Sequence, residues 1–191
     1  GVLFGLYTAA VVYALGSFLE ERFPHEETPF YTAFFSSAGV EEAVKFLFLF
    51  FLIWGNRNFN EPLDGIVYGV FVSLGFAWAE NVIYVTHPIL GGYETALERA
   101  LLSVPGHGLF GIRMGYYFAL GKYRSRKRYL PLAFFSPYLA HALYNYFLLK
   151  REPVFWLFFS VLEARLWVFG LKRIKELQNC SPFREKVSKE S

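Results

Sequence analysis

An all-α, polytopic transmembrane helix bundle of about six spans, with a short cytoplasmic tail, is the fold class that this 191-residue sequence predicts. Three observations predict it. First, 54% of the residues are apolar and 21% aromatic, while only 18% are charged, against about 25% in an ordinary soluble domain. Second, the charges fall in short clusters, and the stretches between them run for roughly the 20 residues that cross a bilayer as a helix. Third, no ten-residue segments alternate apolar with polar, as a membrane β-barrel needs, and open strand edges do not persist in lipid. The same pattern excludes a soluble globular domain and a disordered chain. A net charge of +3, dispersed along the chain, offers no basic face to nucleic acid.

The apolar segments are roughly 2–19, 30–54, 64–86, 99–120, 130–149 and 153–171. Residues 1–171 read as one membrane-embedded domain without internal repeat or linker, and 172–191 as a polar tail that frays or lies on the membrane surface. The single cysteine, Cys180, lies in that tail, so neither an internal disulfide nor a cysteine metal site is expected. The chain opens on Gly1 and enters an apolar run without a basic n-region. No cleavable signal is expected there, and helices upstream are compatible with such a start.

Orientation follows from the basic residues. Lys122, Arg124, Arg126, Lys127 and Arg128 join the fourth and fifth segments, and Lys172, Arg173, Lys175, Arg184, Lys186 and Lys189 lie in the tail. Together they make 11 of the 19 basic residues. An even number of crossings separates the two groups, and the positive-inside rule puts both in the cytoplasm. The connections around Glu20, Glu21, Glu26 and Glu27, and from His87 to Glu98, then lie outside. So does the Lys150-Arg151 pair, against the rule. The expectation is an integral multi-pass protein of the cell membrane with both ends cytoplasmic. His25 and His87 fall in loops and are expected to be solvated.

A charged side chain at the bilayer centre costs from about 2.5 to over 10 kcal/mol. Five of the segments nevertheless hold ionisable groups: Glu41, Glu42 and Lys45 in the second; Glu80 in the third, beside Asn81; His107 and Arg113 in the fourth; His141 in the fifth, one turn before Asn145; Glu163 and Arg165 in the sixth. At ~1.5 Å per residue from the outer helix ends, Glu41 and Glu42 lie ~17 Å deep, Glu80 ~9 Å, and His107 and His141 ~12 Å. Helices of opposite direction thus bring carboxylates and imidazoles to a similar level in the outer half. Glu41 and Lys45 share a helix face, as do Phe76 and Glu80, and His141 and Asn145. Adjacent Glu41 and Glu42 point about 100° apart, so one faces a cavity while the other pairs with Lys45 or another helix. Arg113 and Glu163 are expected to pair structurally between the fourth and sixth segments.

Small residues recur at four-residue spacing in Gly65-x-x-x-Gly69-x-x-x-Ser73 and Gly111-x-x-x-Gly115, a pattern that lets helix backbones approach closely in lipid. Pro105-Gly106-His107-Gly108 is expected to kink or open the fourth helix at the level of the site.

Glutamate and histidine around a wet pocket activate water, and a carboxylate held in an apolar site serves as general base or acid. Histidine and asparagine suit proton transfer and oxyanion stabilisation. Two histidines with one or two glutamates also match the ligand chemistry of Zn²⁺. No HExxH, GxSxG, Ser–His–Asp or paired membrane aspartate is present.

Gly39-Val40-Glu41-Glu42-Ala43-Val44-Lys45 resembles the EExxK motif of the PrsW family of intramembrane proteases. The stretch from Asp64-Gly65 through Phe76-Ala77-Trp78-Ala79-Glu80-Asn81 resembles that family's second block with its FxxxEN. His107 matches its isolated histidine, and His141-Ala142-Leu143-Tyr144-Asn145 its HxxxN. These motifs occur in order on successive segments and cover roughly residues 37–147. The wider superfamily of CAAX prenyl proteases and bacteriocin-immunity proteins carries EExxxR, FxxxH and HxxxN instead. Here Lys45 follows a two-residue gap, and Glu80 stands where a histidine would, so the PrsW branch is favoured.

The resemblance implies site-1 type cleavage of a single-span membrane protein, such as an anti-sigma factor, near its extracytoplasmic end. It places Glu41 or Glu42 as the group that activates water, with Glu41 slightly favoured. Glu80 and His107 would position the water or carry the proton, while His141 and Asn145 would bind the oxyanion. Lys45 neutralises one glutamate, and Asn81 supports Glu80. Where a divalent metal such as zinc is present, Glu42, Glu80, His107 and His141 are its plausible ligands. The expected partners are a transmembrane protein substrate and the lipid bilayer. Two other readings stay open: a proton-coupled transporter, since buried Glu and His also form proton relays, and a non-catalytic protein that binds a membrane partner.

Overall fold

The computed structural model describes residues 2–22, 28–87 and 91–183, and no strand occurs among them. Each predicted apolar segment forms a long helical run. The first is α1 (Val2–Arg22). The second starts with the single turn α2 (Pro29–Tyr31), passes directly into a π-helix (Thr32–Gly39) and continues as α3 (Val40–Ile53). Then follow α4 (Pro62–Thr86), the short α5 (Tyr93–Leu101), α6 (Ser103–Tyr123), α7 (Arg126–Lys150) and α8 (Pro153–Asn179). The predicted loop residues His25, Glu26 and Glu27 lie outside the described residues, as do residues 184–191 of the tail.

Local chemistry sets the ends. The Thr28 hydroxyl accepts the Tyr31 N–H at 3.2 Å, capping α2 in the usual manner of a threonine N-cap. The Asp64 carboxylate accepts the N–H groups of Asn60 and Glu61 at 2.9 and 3.0 Å, and Pro62 occupies the first turn of α4, where its missing N–H leaves no bond unmade. Lys122 donates to the carbonyls of Trp54 and Phe59 at 3.2 and 2.9 Å, tying the end of α6 to the α3–α4 loop.

The fourth segment departs from expectation. The break falls at Leu102 (φ −111°, ψ −60°), between α5 and α6, rather than at the proline. Pro105 then lies in the first turn of α6, and the Gly106 N–H donates to the Leu102 carbonyl at 3.0 Å. A proline in that turn costs no intrahelical bond, so residues 105–108 remain helical.

The small-residue stripes do bring α4 and α6 together. A Cβ placed on Gly69 would lie 2.5 Å from the Gly111 carbonyl oxygen, and one on Gly111 would lie 2.9 Å from the Ser73 side chain. The opposite side of α6 meets α7, α8 and α3. Met114 and Phe118 pack there with Leu49, Ile53, Phe59 and Ala133. Leu109 and Phe110 pack with Ala140, Tyr144, Phe159 and Leu166. On the far side of α4, α1 sets Ala9 against Phe76 and Ala79.

The outward faces stay apolar. Phe51 is 76% exposed, Val168 67%, Leu157 63% and Phe135 53%, an arrangement suited to lipid as the surrounding solvent. Two helices, α4 and α8, are each long and apolar enough to cross a bilayer, and α1 holds a shorter apolar run, Gly5–Leu19. α8 continues past Leu171 to Asn179 and buries Leu177 against Ile66, Tyr116 and Leu120.

The expected Arg113–Glu163 pair is not among the ion pairs of the described residues. Arg113 donates to Ser136 Oγ at 3.0 and 2.7 Å and lies 4.5 Å over the Phe169 ring. Glu163 instead accepts the Trp167 indole N–H at 3.1 Å, one turn along its own helix. Each side chain finds a nearer partner than the other.

Candidate active site

The π-helix enters α3 at Gly39, where a Cβ would lie 2.8 Å from the Phe34 carbonyl oxygen. The absence of a side chain permits the switch from π to α, and π turns are frequent at functional sites. This switch sets Ser37 one turn before Glu41, and its hydroxyl donates to Glu41 Oε1 at 2.9 Å. Glu41, Glu42 and Lys45 follow on α3, all buried.

Lys45 is the hub. Its Nζ donates to Glu42 Oε1 at 2.8 Å and to Glu41 Oε2 at 3.3 Å. The same nitrogen lies 3.1 Å from His107 Nδ1. An ammonium only donates, so Nδ1 accepts and the ring proton of His107 sits on Nε2. That nitrogen faces Glu80 Oε2 at 3.0 Å. His141 has the opposite arrangement. Asn145 Nδ2 lies 3.1 Å from its Nε2 and donates there, which leaves the ring proton on Nδ1, 2.9 Å from Glu42 Oε1. Asn145 Nδ2 also donates to Ser37 Oγ at 2.8 Å, closing the circuit back to Glu41. The His141 ring stacks on Phe110 with 4.6 Å between centroids, and His107 meets Phe76 edge-on at 5.3 Å. These contacts hold both imidazoles in fixed planes.

Every residue expected at the site from the sequence therefore enters one network across α3, α4, α6 and α7. Asn81 enters it through Arg99, which the sequence reading left out. Arg99 Nη2 lies 2.7 Å from Glu80 Oε2, while its Nε donates to Asn81 Oδ1 at 2.6 Å and Nη2 also to Ser103 Oγ at 3.1 Å. The guanidinium stacks 4.1 Å over Tyr84. The available signal was a lone basic residue at the edge of the connection from His87 to Glu98. Ser37 was also missed, and its spacing of four from Glu41 was the available signal.

Two cavities flank the network. One, of about 410 Å³, is bordered by Ser37, Glu41, Phe76, Glu80 and residues of α1. The other, of about 380 Å³, is bordered by Ser37, Glu80, Arg99, His107, His141 and Asn145. Glu41 borders the first, while Glu42 and Lys45 border neither. His87 is exposed at the rim of the first.

Glu41, Glu42, His107 and His141 each offer one donor atom, and these atoms lie within 4.8 Å of one another. Oxygen and nitrogen donors of this kind suit zinc, and the buried Glu42 Oε2 has no hydrogen-bond partner that a cation would displace. Glu80 stands outside this group and holds the far nitrogen of His107, as a carboxylate behind a metal-binding histidine does. The donor set of the four residues suits a divalent ion, but Lys45 already donates to three of them.

A family model described as PrsW family intramembrane metalloprotease matches residues 1–169. A protein named Protease PrsW from Geobacillus kaustophilus is 40% identical over 152 residues, covering 78% of this chain and 65% of its own length. Another of that name from Oceanobacillus iheyensis is 41% identical over 148 residues, covering 76% of this chain and 67% of its own. A third, from Bacillus subtilis, is 36% identical over 154 residues, covering 78% and 68%. The chain thus spans about two thirds of the length of these curated relatives. No solved structure matches it. With the four sequence motifs gathered at one buried centre and the family model matched along most of its length, the chain belongs to the PrsW family of intramembrane proteases.

Proposed function

We propose that this chain is an intramembrane endopeptidase that hydrolyses a peptide bond in a single-span membrane protein near its extracytoplasmic side, as in site-1 cleavage of an anti-sigma factor. It does so as a six-span protein of the cell membrane, with its ends in the cytoplasm. The observation that carries this reading is the place of Glu41. It is the glutamate of the pair that borders a cavity, while the histidines and Asn145 border the cavity on the other side of Ser37 and Glu80.

Glu41 is the general base in this reading, because it borders a cavity that could hold water and Glu42 borders neither. It takes a proton from a water in the cavity that it borders, and the oxygen of that water attacks the substrate carbonyl carbon. Asn145 turns an N–H from Ser37 or His141 to the developing oxyanion. The C–N bond then breaks, and the departing amine takes a proton delivered by Glu41 or by His107, whose Nε2 proton Glu80 holds. Glu42 works at one remove by holding Lys45 and His141 in place. A divalent ion bound by Glu41, Glu42, His107 and His141 would supply Lewis-acid polarisation of water or carbonyl.

The test is cleavage of a panel of single-span proteins in proteoliposomes by the parent and by Glu41→Gln. Fragments from the parent alone support the reading. Solute uptake without fragments would instead favour a proton-coupled carrier.

A further inference from the structure

Lys45 is fully buried, and each of its three donors has an acceptor: Glu42 Oε1 at 2.8 Å, Glu41 Oε2 at 3.3 Å and His107 Nδ1 at 3.1 Å. The Phe76 ring face, 4.1 Å from Nζ to centroid, covers another side of the ammonium. These acceptors belong to three of the four residues whose donor atoms cluster within 4.8 Å. A metal binds through lone pairs, and a lysine ammonium occupies the same ones. His107 has a single free lone pair, on Nδ1, because its Nε2 proton points to Glu80. That lone pair serves Lys45 or a metal, not both. The two cations would also stand within a few ångströms of each other in a buried site, where like charges repel strongly.

We propose that this centre takes one cation at a time, with the Lys45 ammonium as its resident cation. A divalent metal binds Glu41, Glu42, His107 and His141 only when Lys45 is withdrawn from them. Lys45 is thus the residue that sets the cation specificity of the site, beyond neutralising a carboxylate. The inference stands on the donor geometry and is independent of the protease reading.

The experiment uses the full chain purified in detergent micelles and titrated with zinc chloride. Calorimetry reads affinity, elemental analysis after gel filtration reads stoichiometry, and thermal melting reads stabilisation. The parent should retain less than about a tenth of an equivalent of zinc. Lys45→Met should bind one equivalent at least tenfold more tightly, and its melting point should rise with zinc more than the parent's. Adding Glu42→Gln to Lys45→Met should remove that gain, and Lys45→Arg, which keeps the charge, should exclude zinc as the parent does. Should Lys45→Met fold only when zinc is supplied, the proposal is likewise upheld. Stoichiometric zinc in the parent, equal affinity in parent and Lys45→Met, or a Lys45→Met that neither binds zinc nor is rescued by it would overturn the proposal.

Discussion

Arg99 Nη2 lies 2.7 Å from Glu80 Oε2, and the same oxygen faces His107 Nε2 at 3.0 Å. The short helix α5 is thereby linked, through one carboxylate, to an imidazole at the buried centre. Arg99→Ala removes the link and leaves Asn81 and Ser103 without their shared donor. Cleavage is expected to slow about tenfold in kcat with KM little changed, and the fold to lose about 2 kcal/mol. Arg99→Lys should restore only part of the rate, since one ammonium cannot reproduce the planar fork that reaches all three partners. Steady-state kinetics of both variants checks this.

The two adjacent glutamates are expected to fail in different ways. Glu41→Gln keeps the shape and one acceptor oxygen, enough for Lys45 or Ser37 but not both, and loses the base, so cleavage should fall by about 10³-fold while thermal melting falls by less than in Glu42→Gln, which loses its charge inside the closed site. Glu42→Gln weakens the hold on Lys45 and His141 inside a closed site, and should cost about 3 kcal/mol of stability as well as activity. Paired melting curves and rates separate the two. Equal melting and equal rate loss would show that the glutamates are interchangeable.

Ser37 donates to Glu41 and accepts from Asn145. Ser37→Ala should slow cleavage about tenfold, the equivalent of one hydrogen bond of ~1.4 kcal/mol. The readout is the rate at saturating substrate, beside an unchanged melting point.

Close approach of α4 and α6 predicts a sharp positional effect. Gly69→Leu drives a side chain into the Gly111 carbonyl and should destabilise the protein by about 3 kcal/mol. Gly55→Ala, where a Cβ meets nothing within 4 Å, should be neutral. Thermal unfolding in detergent compares them.

Much of this arrangement was legible in the sequence. Long apolar runs predict helices because lipid leaves no other way to satisfy the backbone, and each run is helical in the structure, the fourth with a break at Leu102. Glu41, Glu80, His107 and His141 could be placed together because polar groups at matching depth in lipid have only one another for company. Spacing also foretold that Glu41 and Lys45 share a face. It did not foretell that Lys45 holds both glutamates and His107 at once. That last contact joins residues 62 positions apart and depends on how α3 and α6 pack. The break at Leu102 escaped for a related reason. Proline and glycine at 105–108 are the stronger local signals, yet α6 begins just before them and absorbs the proline in its first turn. Arg99 escaped because only the packing of α5 against α4 brings it to Glu80.

The most direct test of the central claim is to locate the cut by mass spectrometry of intact products. Parent and Glu41→Gln would each be reconstituted with the same single-span substrate. The account predicts two complementary fragments from the parent, with new termini in the outer half of the substrate's span, and none from Glu41→Gln. The same fragments from both proteins at equal rate would contradict it.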